Sequence, residues 1–166
     1  MVVFQLRAYQ SSDLSEIAQL FYQTVHTINR QDYSQAEVDA WADGQLDLAA
    51  WQQSLQAHQT IIAVLNGGGI VGFGDLSKAG YFDRLYVAAN YQHQGIATAI
   101  CDQLEGQFAG HQITTQASIT ARPFFTQRGY QVLQEQQVQR HGVSLTNFVM
   151  SKNLSGRLTN ESSSSN

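Results

Sequence analysis

Three stretches of the chain carry residue types at spacings that suit chemistry. The first is Gln92-His93-Gln94-Gly95-Ile96-Ala97, between a strand pattern and a helix pattern. Successive backbone N–H groups at such a helix start form an anion cradle, and the helix dipole adds about half a positive charge. Gly95 lets a phosphate approach the main chain, and Ala97 keeps the first turn narrow. The ordinary alternative is a strand–helix loop with one glycine in it. The second stretch is GGGIVG at 67–72, which has the form G-x-G-x-x-G. That form holds a dinucleotide only where a helix opens straight after the loop. Here the glycines lead into IVGFGDLS, a strand pattern, so they predict a hairpin turn and a strand thinned by glycine. The third is Asp83, a carboxylate in mid-strand. Alternation puts Tyr81, Asp83, Leu85 and Val87 on one face, an unusual place for a charge.

The elements that must position these residues can be read from periodicity. Val2 to Tyr9 alternates and predicts a strand. Leu14, Ile17, Leu20, Phe21 and Val25 make a helical stripe behind the cap residues Ser11, Ser12 and Asp13. Ser34 with Glu37 forms a capping box for a short helix, and Asp47 caps another over LAAWQQSLQAH. TIIAVLN and IVGFGDLS are strands at hairpin distance, and GYFDRLYV is a further strand. IATAICDQLEGQF carries a stripe at Ile96, Ile100, Leu104 and Phe108. ITTQAS is strand-like. ARPFFTQRG is a short helix with Pro123 in its first turn and Gly129 at its stop. Two alternating runs around His141-Gly142 close the chain as a hairpin. The strand–helix–strand unit from Gly80 to Ser118 requires a parallel pair, and the remaining pairs are hairpins. The expected class is α+β, with a central mixed sheet of about seven strands flanked by about four helices. One domain over 1–153 and a disordered low-complexity tail over 154–166 complete the expectation.

Composition narrows the function. A chain of 166 residues is one domain. Its polarity comes from 23 glutamines rather than from charge, and its net charge of −4 disfavours a dedicated nucleic-acid binder, which needs a cationic face for phosphates. Cys101 stands alone, which excludes an intrachain disulfide and a Cys-rich zinc site. The five histidines never fall three or four residues apart, so no local metal pair exists and no metal is expected. With no 18-residue apolar run there is no membrane span to expect, and the default compartment is the cytoplasm.

At YFDRLYVAANYQHQGIATAICDQLE the chain resembles the GNAT superfamily of N-acyltransferases, whose acyl-CoA signature Q/R-x-x-G-x-G/A is met by Gln92, Gly95 and Ala97. The family's later pattern A-x-x-F-Y-x-x-x-G-F/Y is met at Ala121, Phe124, Gly129 and Tyr130, and the resemblance spans about residues 2–152. It implies a GNAT-like fold with a wedge between the strands at 81–87 and 113–118, and acetyl-CoA in that wedge as acetyl donor. The implied cofactor contacts are Leu85, Tyr86 and Val87 on the strand and Gln92, His93, Gln94, Gly95, Ile96, Ala97 and Thr98 on the loop. Ser118, Phe124 and Arg128 complete the implied set.

The resemblance further implies transfer to a primary amine in a ternary complex, without a covalent intermediate. A backbone N–H at Val87 or its neighbour would polarise the thioester carbonyl. An amine must lose a proton before it attacks, and Asp83 is the candidate base; His26, at a helix end, is its rival. One departure stands out. Phe125 occupies the position where many relatives carry a tyrosine general acid, leaving Tyr33, Tyr86 or Tyr130 as substitutes. That loss also motivates the alternative of a non-catalytic acyl-CoA-binding module. Tyr33, Trp41, Trp51 and Phe73 are candidates for the acceptor wall. The expected acceptor is a small-molecule amine or a peptide, with the low net charge and several Asp between residues 32 and 47 leaning towards a cationic small molecule, and a homodimer is among the expected states.

Overall fold

The structure, a computed structural model, describes residues 2–154. Seven strands form one sheet: β1 (Phe4–Ala8), β2 (Gln59–Leu65), β3 (Ile70–Leu76), β4 (Tyr81–Val87), β5 (Gln112–Ser118), β6 (Gln131–Arg140) and β7 (Val143–Asn153). Five α-helices flank it: α1 (Leu14–Thr27), α2 (Gln35–Trp41), α3 (Leu48–Ala57), α4 (Ile96–Gln107) and α5 (Arg122–Gln127). The sheet order is β1-β2-β3-β4-β5-β7-β6, and β4–β5 is its parallel pair. Of the expected tail over 154–166, only Leu154 is described. Its N–H donates to the His111 carbonyl, 2.7 Å. The rest lies outside the described residues.

Each face of the sheet has its own core. Ile17, Leu20, Phe21 and Val25 of α1 meet Val38, Leu55, Ile62 and Phe73 on one side. Ile96, Ile100, Cys101 and Leu104 of α4 meet Val71, Phe82, Ile113, Phe125 and Met150 on the other. Gly74 allows α4 to sit this close, since a Cβ there would stand 2.9 Å from Ile100. The triple glycine at 67–69 is the β2–β3 turn, and the Ser34–Glu37 capping box forms as the sequence predicts.

Strand β4 is irregular along both of its edges. It pairs with β5 only at Tyr81–Thr114 and Phe82–Thr115, after which the two strands part. Its pairing with β3 also slips. Arg84 faces Asp75 and Phe82 faces Leu76, so Asp83 is an extra residue, a bulge without a partner. The bulge corrects the expected alternation: Phe82, not Asp83, joins Leu85 and Val87 against the α4 core.

Candidate functional site

Where β4 and β5 part, a cleft of about 900 Å³ opens. Its walls hold Asp83, Leu85, Tyr86 and Val87 from β4, and Gln92, His93, Gly95, Ile96, Ala97 and Thr98 at the start of α4. Ser118, Phe124 and Phe125 line it from the β5 side, and Asn29, Asp32 and Trp41 from the α1–α2 side. The cleft therefore brings together Asp83 and eleven of the thirteen residues expected to contact the cofactor.

The α4 end of the cleft is built to expose backbone. Gly95 is the N-cap, with φ of 82° and no side chain to satisfy the first-turn N–H groups. A Cβ added at Gly95 would meet nothing within 4 Å, so the space above it is open. The Gln92 side chain braces this loop from within, its amide donating to the Val87 carbonyl, 2.6 Å.

Asp83 sits in the cleft wall with 32% of its side chain exposed. Burial pushes its carboxyl above the usual range, and the neighbouring Arg84 pulls it back. The Arg84 guanidinium lies 3.3 Å from Asp83 and 2.5 Å from Asp75, and its face covers the Trp51 ring at 4.5 Å. Asp75 is fully buried and also contacts His58 Nδ1, 2.7 Å. Sequence reasoning missed His58, Asp75 and Arg84 as a unit because only the β3–β4 register and the end of α3 bring them together.

Four expected site residues do not line the cleft. Arg128 is held by Glu105 at 2.7 Å and Asp102 at 2.6 Å, tying α5 to α4. The Gln94 side-chain oxygen turns towards the Val2 N–H, 3.4 Å. His26 stacks on Tyr22 at 4.2 Å and its Nε2 meets the Ala42 carbonyl, 2.8 Å. Tyr33 is buried; its hydroxyl donates to the Thr146 carbonyl, 2.6 Å, and accepts from the Ile119 N–H, 2.9 Å. All four have polar partners that hold them in the frame around the cleft.

Of Tyr33, Tyr86 and Tyr130, the substitutes for a missing acid, Tyr86 is the one in the cleft wall, and burial pushes it well above an ordinary phenol. Tyr130 is spent on Glu105, 3.0 Å. Phe125 is buried edge-on against Phe82, Phe124 and Tyr130. Cys101 is buried, its thiol pushed up to about 12 by burial. Trp41 walls the cleft as expected of it, whereas Trp51 and Phe73 belong to the core behind. Among the described residues no helix is long and apolar enough to cross a membrane.

A family model for the acetyltransferase (GNAT) domain matches residues 29–152. The chain is 33% identical over 147 residues to an uncharacterized N-acetyltransferase, YafP, of Escherichia coli K12, covering 88% of this chain and 93% of that one. It superimposes on the crystal structure of a GCN5-related N-acetyltransferase from Rhodopseudomonas palustris with a TM-score of 0.86 and 33% identity, over 93% and 98% of the two chains. A PaiA N-acetyltransferase of Thermoplasma acidophilum, solved in complex with coenzyme A, shares the fold at a TM-score of 0.73 and 14% identity, over 91% and 99%.

Proposed function

The chain belongs to the GNAT superfamily of N-acetyltransferases, and on that premise we propose that it transfers acetyl from acetyl-CoA directly to the primary amine of a small cationic molecule. The observation that carries this reading is the β4–β5 cleft, with an uncapped helix start at one end and a carboxylate in its wall.

The residues present fit the co-substrate. Gly95 leaves the first-turn N–H groups of α4 without a side-chain acceptor, as a diphosphate requires, and open space lies above them. When bound, acetyl-CoA supplies the acetyl group as a thioester, and a thiol pKa of ~8.5 makes its thiolate a tolerable leaving group at neutral pH. Beyond Phe82, β5 offers β4 no ladder partner, so apart from the Val87 carbonyl, which Gln92 holds, the main-chain edge of β4 is left for the pantetheine arm and the thioester carbonyl. Asp83 takes the proton of the acceptor amine, and its raised affinity for protons suits a base. Asp32 adds a second carboxylate to the same cleft, which favours a cation over a neutral acceptor. Buried Cys101 has no part, so no acyl-enzyme forms on it.

The test is calorimetry of the protein with CoA and acetyl-CoA, then CoA release against a polyamine, an aminoglycoside, an amino acid and a short peptide. Binding of both cofactor forms and turnover on the polyamine or the aminoglycoside is the expected result. Binding without turnover on any amine points to an acyl-CoA-binding module, and absence of binding overturns the reading.

A further inference from the structure

Behind Asp83 lies a charge cluster to which acetyl transfer has so far given no task. Two carboxylates, Asp75 and Asp83, share one guanidinium: Arg84 Nη1 is 2.5 Å from Asp75 and 3.3 Å from Asp83. One cation cannot neutralise both. Asp75 is fully buried, and its second oxygen, Oδ1, has no hydrogen-bond partner, so its charge rests entirely on what meets Oδ2. Those groups are Arg84 and His58, whose Nδ1 stands 2.7 Å away. His58 also caps the C-terminus of α3, its N–H bonding the Ser54 carbonyl, where the helix dipole favours a positive ring. The ligand-type atoms of His58, Asp75 and Asp83 all lie within 4.8 Å of one another. Arg84 already stands between the carboxylates, so the cation of this cluster is the protein's own.

We propose that His58 is a positioning residue for acetyl transfer: paired with buried Asp75 across from Arg84, its imidazolium supplies the second positive charge that keeps the cleft carboxylate of Asp83 ionised and able to take the acceptor's proton. This rests on the reading of Asp83 as the base. Without the imidazolium, Asp83 faces the Asp75 carboxylate with only a shared guanidinium between them, and the like charge drives it to hold its proton. The groups facing Asp83 are Arg84 on its own strand, Asp75 on β3, His58 at the end of α3, and Tyr81, whose phenol is pushed up by burial and then by Asp83. The groups facing His58 are Asp75, Asp83 and Arg84. The hydrogen bond to Asp75 raises the His58 pKa above its usual 6.5, which favours the imidazolium.

The experiment follows the Asp83 carboxyl by carbon-13 NMR titration in the resting protein, as wild type, His58→Gln and His58→Lys. Gln removes the charge; Lys keeps a charge throughout the titration. Gln should move the Asp83 midpoint up by at least about half a pH unit, the effect of a unit charge ~5 Å away even at the dielectric of water. Lys should restore most of the wild-type midpoint. A purely structural His58 would lower melting temperature in both variants and leave the Asp83 midpoint in place, or shift it equally in both, and either result overturns the proposal. The titration needs no acceptor. A failure of Asp83 as base would show separately, as unchanged turnover in Asp83→Asn.

Discussion

Asp83 is where opposing pushes on one carboxylate meet, since burial raises its proton affinity and Arg84 lowers it. The net shift is upward, and a carboxylate with raised proton affinity is a better base than an ordinary one. Asp83→Asn should leave CoA affinity unchanged and lower turnover by ~100-fold, and the loss should shrink as pH rises and more amine arrives deprotonated. A pH–rate profile from about pH 6 to about pH 9 checks this, and equal rates throughout would remove Asp83 from the chemistry. Phe125 makes the opposite kind of prediction. Its ring is enclosed by Phe82, Phe124 and Tyr130, so Phe125→Tyr would bury a hydroxyl among aromatic carbons. The expected result is a loss of ~1–3 kcal/mol in stability with no gain in rate. A gain above about tenfold, worth ~1.4 kcal/mol of barrier, would show that thiolate departure limits the enzyme. At this scale the sequence was legible where chemistry is local. Asp83 stood out as a charge in an apolar alternation, but its face did not. The bulge moves Phe82 into the place alternation assigned to Asp83, and no residue type marks an extra position in a strand. His58 and Asp75 were illegible because their contact depends on how α3 ends over β3, 17 residues apart.

At the scale of elements, the start of α4 was the most legible part of the chain. A glycine before an apolar stripe specifies an N-terminus that exposes its own donors, and Gly95 adopts that role at φ 82°. The splay of β4 from β5 was legible only through the family resemblance, because pairing that stops after Phe82 leaves no trace in alternation. Arg128, placed by the family pattern, closes α5, and its charge meets Glu105 and Asp102, partners that its sequence position did not announce. The element-scale prediction concerns Gly95. Gly95→Glu places an anion in the open space over the α4 donors and should abolish CoA binding, while Gly95→Ala should keep much of it. Both variants bear the left-handed backbone strain, ~1–2 kcal/mol. Calorimetry on the folded variants therefore isolates the charge. Equal affinity in the Glu and Ala variants would mean that the phosphate does not sit there.

The whole molecule is held by a few polar ties across an apolar three-layer core, and Glu105 is the one that joins most parts. From α4 its carboxylate accepts from Arg128 at the end of α5, 2.7 Å, from Lys152 on β7, 2.8 Å, and from the Tyr130 hydroxyl, 3.0 Å. Burial alone would push this carboxyl up, but the hydrogen bonds from Arg128 and Lys152 outweigh it and hold it below its usual 4.5. Asp13, bonded by Arg7 through two 2.8 Å contacts, is likewise held below 3.8 and ties β1 to the entry of α1. Both folded-state pKa values are depressed. Their stabilisation is therefore complete above the unfolded values and is lost as pH falls through the folded ones. His58 acts in the other direction: its raised pKa stabilises the fold below about 6.5, and that contribution is lost as pH rises through the folded value. Glu105→Gln separates these effects. The substitution leaves Arg128 and Lys152 packed around a neutral amide and should cost about 3 kcal/mol near neutral pH. That difference from wild type should then narrow steadily once pH drops below 4.5, since the carboxyl of the unfolded wild type takes up its proton there and the folded one only at lower pH. Urea denaturation of both proteins at a series of pH values measures it directly. A gap that stays constant down to about pH 3 would mean that Glu105 contributes shape and hydrogen bonds rather than charge to the joint between α4, α5 and β7.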